Sequence, residues 1–377
     1  MQKNIFQNLL IFSVLIVSSA CSTQLNNVPM MGEIVELRHA THLKIQQLDS
    51  CTLVQIINPW DTTQLLHSYV IVHRDSVLPS QLPNATLVRT PINNALVYTS
   101  VHLGLIENLG AIAQVGGVCD ADYILQPLAK QLVKNGTIRD VGNSMSPNIE
   151  TIIALSPDAI LLSPFENSGG YGAIEKLGVP IIECADYMEV SPLACAEWML
   201  FYGLLFGKEN VADSLFRVVE ENYCRLRDSV ALITDKPSLV VELKSGSAWY
   251  VPSARSTTGR FYIDAGANYL FANITKNGAV PLAFETVYET AYDADFWLFK
   301  YNRPTNITYQ QLSVENQLYS EFTAFKNKNI YACNTFSSPY YDQVPFRPDW
   351  LLRDLVAIFY PNLLPNYNLR YYSKLTD

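Results

Sequence analysis

The densest gathering of chemically useful side chains is the stretch WYVPSARSTTGRFY, Trp249 to Tyr262. It sets Trp249, Tyr250 and Tyr262 beside Arg255 and Arg260. Aromatic planes make apolar walls, and guanidinium forks hold paired carboxylate or catecholate oxygens. Together they describe a pocket for a large anionic ligand rather than a catalytic centre. Tyr98, Phe165, Tyr171, Tyr187, Tyr340 and Tyr341 are further candidate walls, and Lys300 and Arg347 further candidate charges. His102, Tyr98 and Asp120 include donor types that ligate iron, but their separation in sequence establishes no convergence. The plainer alternative holds for each of these residues: Tyr and Trp as partial core, Arg as solvated surface.

Catalytic and nucleic-acid chemistries find little support. The chain has no GxSxG or HExxH and no recognisable triad spacing. Ser163–Gly172, SPFENSGGYG, is Gly-rich but lacks the arrangement of a phosphate loop. His39 and His42 stand three apart with no joining carboxylate or Cys pattern, and read as surface residues. The seven Cys are widely spaced without a CxxC, which argues against a zinc site. Export permits disulfides, yet Cys119 and Cys184 end apolar runs and read as small buried thiols. A formal charge of −9 with no basic run argues against nucleic acid.

The elements that position these residues begin after an export signal. Lys3, the apolar run Leu9–Val17 and small Ser18-Ser19-Ala20 lead directly to Cys21. That order resembles a bacterial lipobox, so residues 1–21 are read as a lipoprotein signal with Cys21 as the lipidated N-terminus. Residues 22–90 are a tether and a β-rich extension, in which HLKIQQL, TLVQIIN and LLHSYVIVH are strand-like. Pro79, Pro83 and Pro91 mark a linker. From Ala95 strand and helix patterns alternate, which predicts a parallel α/β sheet across residues 91–207. Ligands on such sheets lie beyond the strands' carboxyl ends. That rule selects Tyr98, Ser100, His102, Asp120, the loop Asn143–Met145, Phe165, Glu166 and Tyr187.

Lys208–Val230 is the clearest helix. Ala212, Phe216, Val219, Tyr223, Leu226 and Val230 share one face, widened by Val211, Leu215 and Val218. Residues 208–232 are read as a strut, and residues 233–377 as a second α/β unit. The expected fold class is therefore α/β: two Rossmann-like lobes with parallel-rich sheets, one long connecting helix and a ligand cleft between the lobes.

Two stretches carry a family resemblance: SMSPNIETIIALSPDAILLSPF with AIEKLGVPIIE, and LAFETVYETAYDADFWLF. Both resemble paired segments of the helical-backbone class of ABC-transporter substrate-binding proteins, which capture ferric siderophores, haem or cobalamin. FTAFKNKNIYACN and the closing FYPNLLP extend the likeness, with gaps, from about Ala95 to Pro365. The resemblance implies a periplasmic lipoprotein, monomeric and not an enzyme, with no cofactor of its own. It would deliver a metal chelate to an inner-membrane permease and its ATPase. A ferric chelate is placed ahead of cobalamin. Glu150 and Glu285 match the family's glutamates that dock each lobe onto permease arginines. Either could instead be a first-turn Glu complementing its helix dipole. The simplest members lack a counterpart of residues 31–90, and the insertion at Ser163–Gly172 is unusual.

Overall fold

The computed structural model describes residues 32–166 and 170–377. The signal, Cys21 and the tether to Met31 lie outside the described residues, as do Asn167–Gly169 within the Gly-rich insertion. No described helix is long and apolar enough to cross a membrane.

Residues 33–90 form one five-stranded sheet in chain order. Leu43–Gln47, Thr52–Ile57 and Leu65–His73 are the three expected strands, and they pair antiparallel. The proline-marked stretch is not simply a linker. Thr86–Thr90 is a strand within it and pairs in parallel with Leu65–His73. Pro83 and Pro91 flank that strand, where neither removes a ladder donor.

Two further sheets follow the α/β pattern. The first is fully parallel, in the order Ile181–Glu183, Ala159–Leu162, Ala95–Val97, Val115–Val118, Arg139–Asp140. The second runs Asn268–Tyr269, Ser238–Val241, Phe296–Tyr301, Ile330–Asn334, closed by antiparallel Ser373–Lys374. In each, the chain builds outward from a central strand and then returns to that strand's other side.

The strut is the helix Glu209–Ala231. Its buried residues are Ala212, Phe216, Val219, Tyr223, Leu226 and Val230. Val211 and Val218 are exposed, so the apolar stripe is narrower than the sequence implied. It packs against Met199–Phe206 on the first side and Pro348–Phe359 on the second. Gly203 allows the first approach, since a Cβ there would lie 2.7 Å from that of Ala212.

The expected helix over Pro192–Phe206 divides into Pro192–Glu197 and Met199–Phe206, with Trp198 at the joint. Beside it two buried carboxylates hold the N-terminal module. Glu197 accepts from the backbone N–H groups of Arg38, His39 and Ala40 at 2.7–2.8 Å. Glu189 accepts from the backbone N–H groups of Thr41 and His42, and from the Trp198 indole at 2.9 Å. Burying a carboxylate is costly without such donors. The six cysteines from Cys51 to Cys333 are free, five of them buried.

Candidate functional site

In the first sheet, the reversal of strand order falls between Ala95–Val97 and Ala159–Leu162. A cavity of about 540 Å³ opens there, beyond the carboxyl ends of both strands. That is the crevice such sheets use for ligands, and the volume suits a small molecule. Tyr98 and Thr99 leave the first strand into it, and Ser163 and Phe165 leave the second. Ser144 to Pro147 form another wall, and Tyr171 to Ile174 the facing one. Tyr98, Leu162 and Ile174 join the buried apolar cluster beneath.

Local structure fixes these walls. Asp120, in a left-handed conformation, accepts from Asn143 Nδ2 at 3.1 Å and Ser144 N at 3.2 Å. Tyr171 donates to Glu183 Oε1 at 2.6 Å, and the other Glu183 oxygen meets His67 Nδ1 at 3.0 Å. The N-terminal sheet thus braces one wall of the cavity. Tyr187 donates to the carbonyl of Pro164, next to Phe165. The Tyr98 hydroxyl is buried without a hydrogen-bond partner, and burial raises its pKa. It stays a neutral donor. No Asp, Glu, Lys, Arg or His lines this cavity among the described residues.

Tyr98, Phe165 and Tyr171 therefore converge, with the expected loop Asn143–Met145 contributing Ser144 and Met145. Other expected site residues go elsewhere. Trp249 is fully buried, stacked on Trp297 with centroids 5.8 Å apart, and its indole donates to Val241 O. It is core, not a wall. Tyr262 is likewise buried, 5.3 Å from Tyr269 between ring centroids. His102 is buried against Asp186 and Tyr202.

Lys300 is paired with Glu242 at the second sheet's own reversal point, 5.7 Å from the Tyr340 ring centroid. Burial opposes its charge, but Glu242 and the tyrosines Tyr262 and Tyr340 outweigh it and hold the pKa well above the usual lysine value. Arg347 is held by both oxygens of Asp349. Tyr250 and Tyr341 are exposed but do not line the cavity. Arg255 and Arg260 line a different cavity. The expected clamp from the second lobe is thus not assembled with the first lobe's aromatic walls.

Thr99 and Ser146 are lining residues that sequence reasoning passed over, and it also missed Glu183, which stands behind Tyr171 without lining the cavity, whereas Ser163 belongs to the insertion expected to shape the pocket. The signal for Glu183 was a carboxylate closing the apolar strand Ile181–Glu183. Glu150 and Glu285 are exposed in the first turns of Ile149–Leu155 and Phe284–Ala291. Among the described residues, no three His, Cys, Asp or Glu side chains gather to hold a metal.

Comparison with known proteins agrees with this architecture. The profile of the family described as periplasmic binding protein matches residues 98–335. An uncharacterised lipoprotein of Methanocaldococcus jannaschii is 25% identical over 324 residues, covering 81% of this chain and 75% of the relative. A possible iron-binding, periplasmic solute-binding protein of Staphylococcus epidermidis superposes with a TM-score of 0.57 at 18% identity, over 72% of this chain and 100% of that one. A periplasmic haem-binding protein of Pseudomonas aeruginosa gives 0.55 at 17%, over 72% and 93%. These structural likenesses carry the fold. The family match spans more than half of the chain, which belongs to the periplasmic binding protein family and is a binding protein, not an enzyme.

Proposed function

We propose that this periplasmic binding protein is the solute-binding component of an ABC importer, and that its solute is an iron chelate with a broad apolar face, such as haem or an uncharged ferric siderophore. The observation that carries the reading is the cavity lining: Tyr98, Phe165 and Tyr171 with serine and threonine hydroxyls, and no charged side chain among the described residues. Apolar walls with a few hydroxyl donors suit a metal already wrapped in its own ligands. A bare or strongly anionic chelate would want guanidinium or ammonium groups, and three of the four expected cations are tied to carboxylates. The haem and iron descriptions of the two solved proteins agree with the solute class. The lipobox order and the lipoprotein relative support attachment to a membrane through Cys21.

Calorimetric titration with haem, a ferric hydroxamate, a ferric catecholate and cobalamin tests the reading. Haem or the hydroxamate should bind with Kd below about 1 μM. Phe165→Ala should weaken that binding about tenfold, because a half-exposed aromatic wall contributes contact rather than stability. Tight binding of the catecholate alone would sink the neutral-pocket argument. Binding of cobalamin alone would replace iron with a corrinoid.

A further inference from the structure

A second cavity, of about 550 Å³, opens where the strut, the Ser191 turn, the second lobe and the N-terminal module meet. Tyr223 and Arg227 line it from the strut, Arg255 and Arg260 from the second lobe, Ser191 from the turn and His39 from the N-terminal module. It therefore gathers three guanidinium groups in a chain whose formal charge is −9.

Arg260 is held in place. Its Nε is ion-paired with Asp264 Oδ1 at 2.8 Å, and Tyr223 donates to the other Asp264 oxygen at 2.8 Å. Asp264 and Tyr223 are both buried, so both carboxylate oxygens are spoken for inside the protein. The Arg260 side chain is about half-exposed and lines the cavity, so its guanidinium can meet a ligand as well as Asp264. Arg227 is likewise engaged through Nε, with Asp228 Oδ1 at 2.9 Å. Arg255 is exposed and makes no ion pair among the described residues. At the rim, His39 and Arg38 share Glu220. Asp264 and Asp228 balance two guanidinium groups, and Arg255 is left in excess.

We propose that this cavity is a second binding site, which takes a small anion carrying carboxylate or phosphate oxygens. A guanidinium oriented by a buried Tyr–Asp pair is pre-organised for two-pronged contact with such oxygens. Arg255 supplies the net positive charge, and the low-dielectric walls focus it. Because four parts of the chain line the cavity, an occupant ties the strut to both its neighbours and to the N-terminal sheet. The site stands whichever solute the first pocket takes.

The test is calorimetric titration of the full chain at low ionic strength with citrate and with inorganic phosphate, and with glycerol as the uncharged control. Saturable binding of citrate, of phosphate or of both is expected, with none of glycerol, and added sodium chloride should weaken it. Citrate alone assigns a carboxylate ligand, phosphate alone a phosphorylated one, and both the shared chemistry. Arg255→Ala and Arg260→Ala should each weaken binding about tenfold. Tyr223→Phe, which keeps the ring but frees Asp264, should weaken it less. Phe165→Ala should leave it unchanged, which separates this site from the first pocket. Arg255 is exposed, so its variant keeps the fold. Absence of saturable binding of both anions up to about 10 mM, or binding undiminished in both arginine variants, would overturn the proposal.

Discussion

Tyr171 joins two roles, as a cavity wall and as the donor to buried Glu183. Tyr171→Phe keeps the wall and removes the donor. The Glu183 carboxylate then loses one of its partners, at a cost of about 1–3 kcal/mol, readable by urea denaturation. Affinity for the solute should also fall several-fold, because the ring is no longer fixed. Unchanged affinity would mean that the bond serves the fold alone. The contrast between Tyr171 and Trp249 shows what a single sequence reveals at this scale. Tyr98 and Phe165 were legible because each follows a strand whose carboxyl end must face the crevice. Trp249 was misplaced because aromatic type says nothing of side. The alternation in Ala248–Pro252 held the missing signal: Trp249 faces in, so Tyr250 must face out. Lys300 was misplaced for another reason, since its partner Glu242 lies on a different strand end and no local pattern links them.

The elements divide in the same way. The strut was legible almost to the residue, because a stripe of period 3.6 is a local property. How the N-terminal sheet attaches was not, because its ties run from residues 38–42 to Glu189 and Glu197, some 150 positions on. Glu197→Ala would leave three part-buried backbone donors without their carboxylate acceptor. The expected loss is about 1–3 kcal/mol, with selective protease cutting within residues 32–90. Glu189 adds a pH dependence. Burial acts to raise its pKa, but donors from His42, Trp198 and Thr41 outweigh it and hold the value below the usual glutamate range. A depressed carboxylate stabilises the folded state above its unfolded pKa of about 4.3, and that stability is lost as pH falls through the folded value. Protease sensitivity of the N-terminal sheet should therefore rise as pH drops below about 4, and Glu189→Gln should flatten that rise. A profile unchanged by the substitution would assign the acid sensitivity elsewhere.

For the whole molecule, the two sheets and the helix between them were foreseeable, but the seam that closes one lobe on the other was not. Ser100 donates to Asp342 Oδ1 at 2.6 Å, Thr257 donates to Glu189 O at 2.8 Å, and Tyr202 meets Phe346 with centroids 5.6 Å apart. With a strut of 23 residues, about 35 Å long, this seam is expected to restrict the lobes to small relative motions. Such stiffness would give Glu150 and Glu285, if they dock the permease, a use that an isolated first-turn glutamate lacks. Two exposed carboxylates, one on each lobe, keep a nearly constant separation, and a rigid pair can match two cationic points on a permease in one register. Neither lines the solute cavity. Glu150→Lys and Glu285→Lys should each reduce solute uptake in cells at least about tenfold, by turning attraction into like-charge repulsion. Titration of the purified variants should show unchanged solute affinity. Uptake that survives in the double variant would return both residues to the plainer role of helix-dipole partners, and a fall in affinity would place them in solute binding instead.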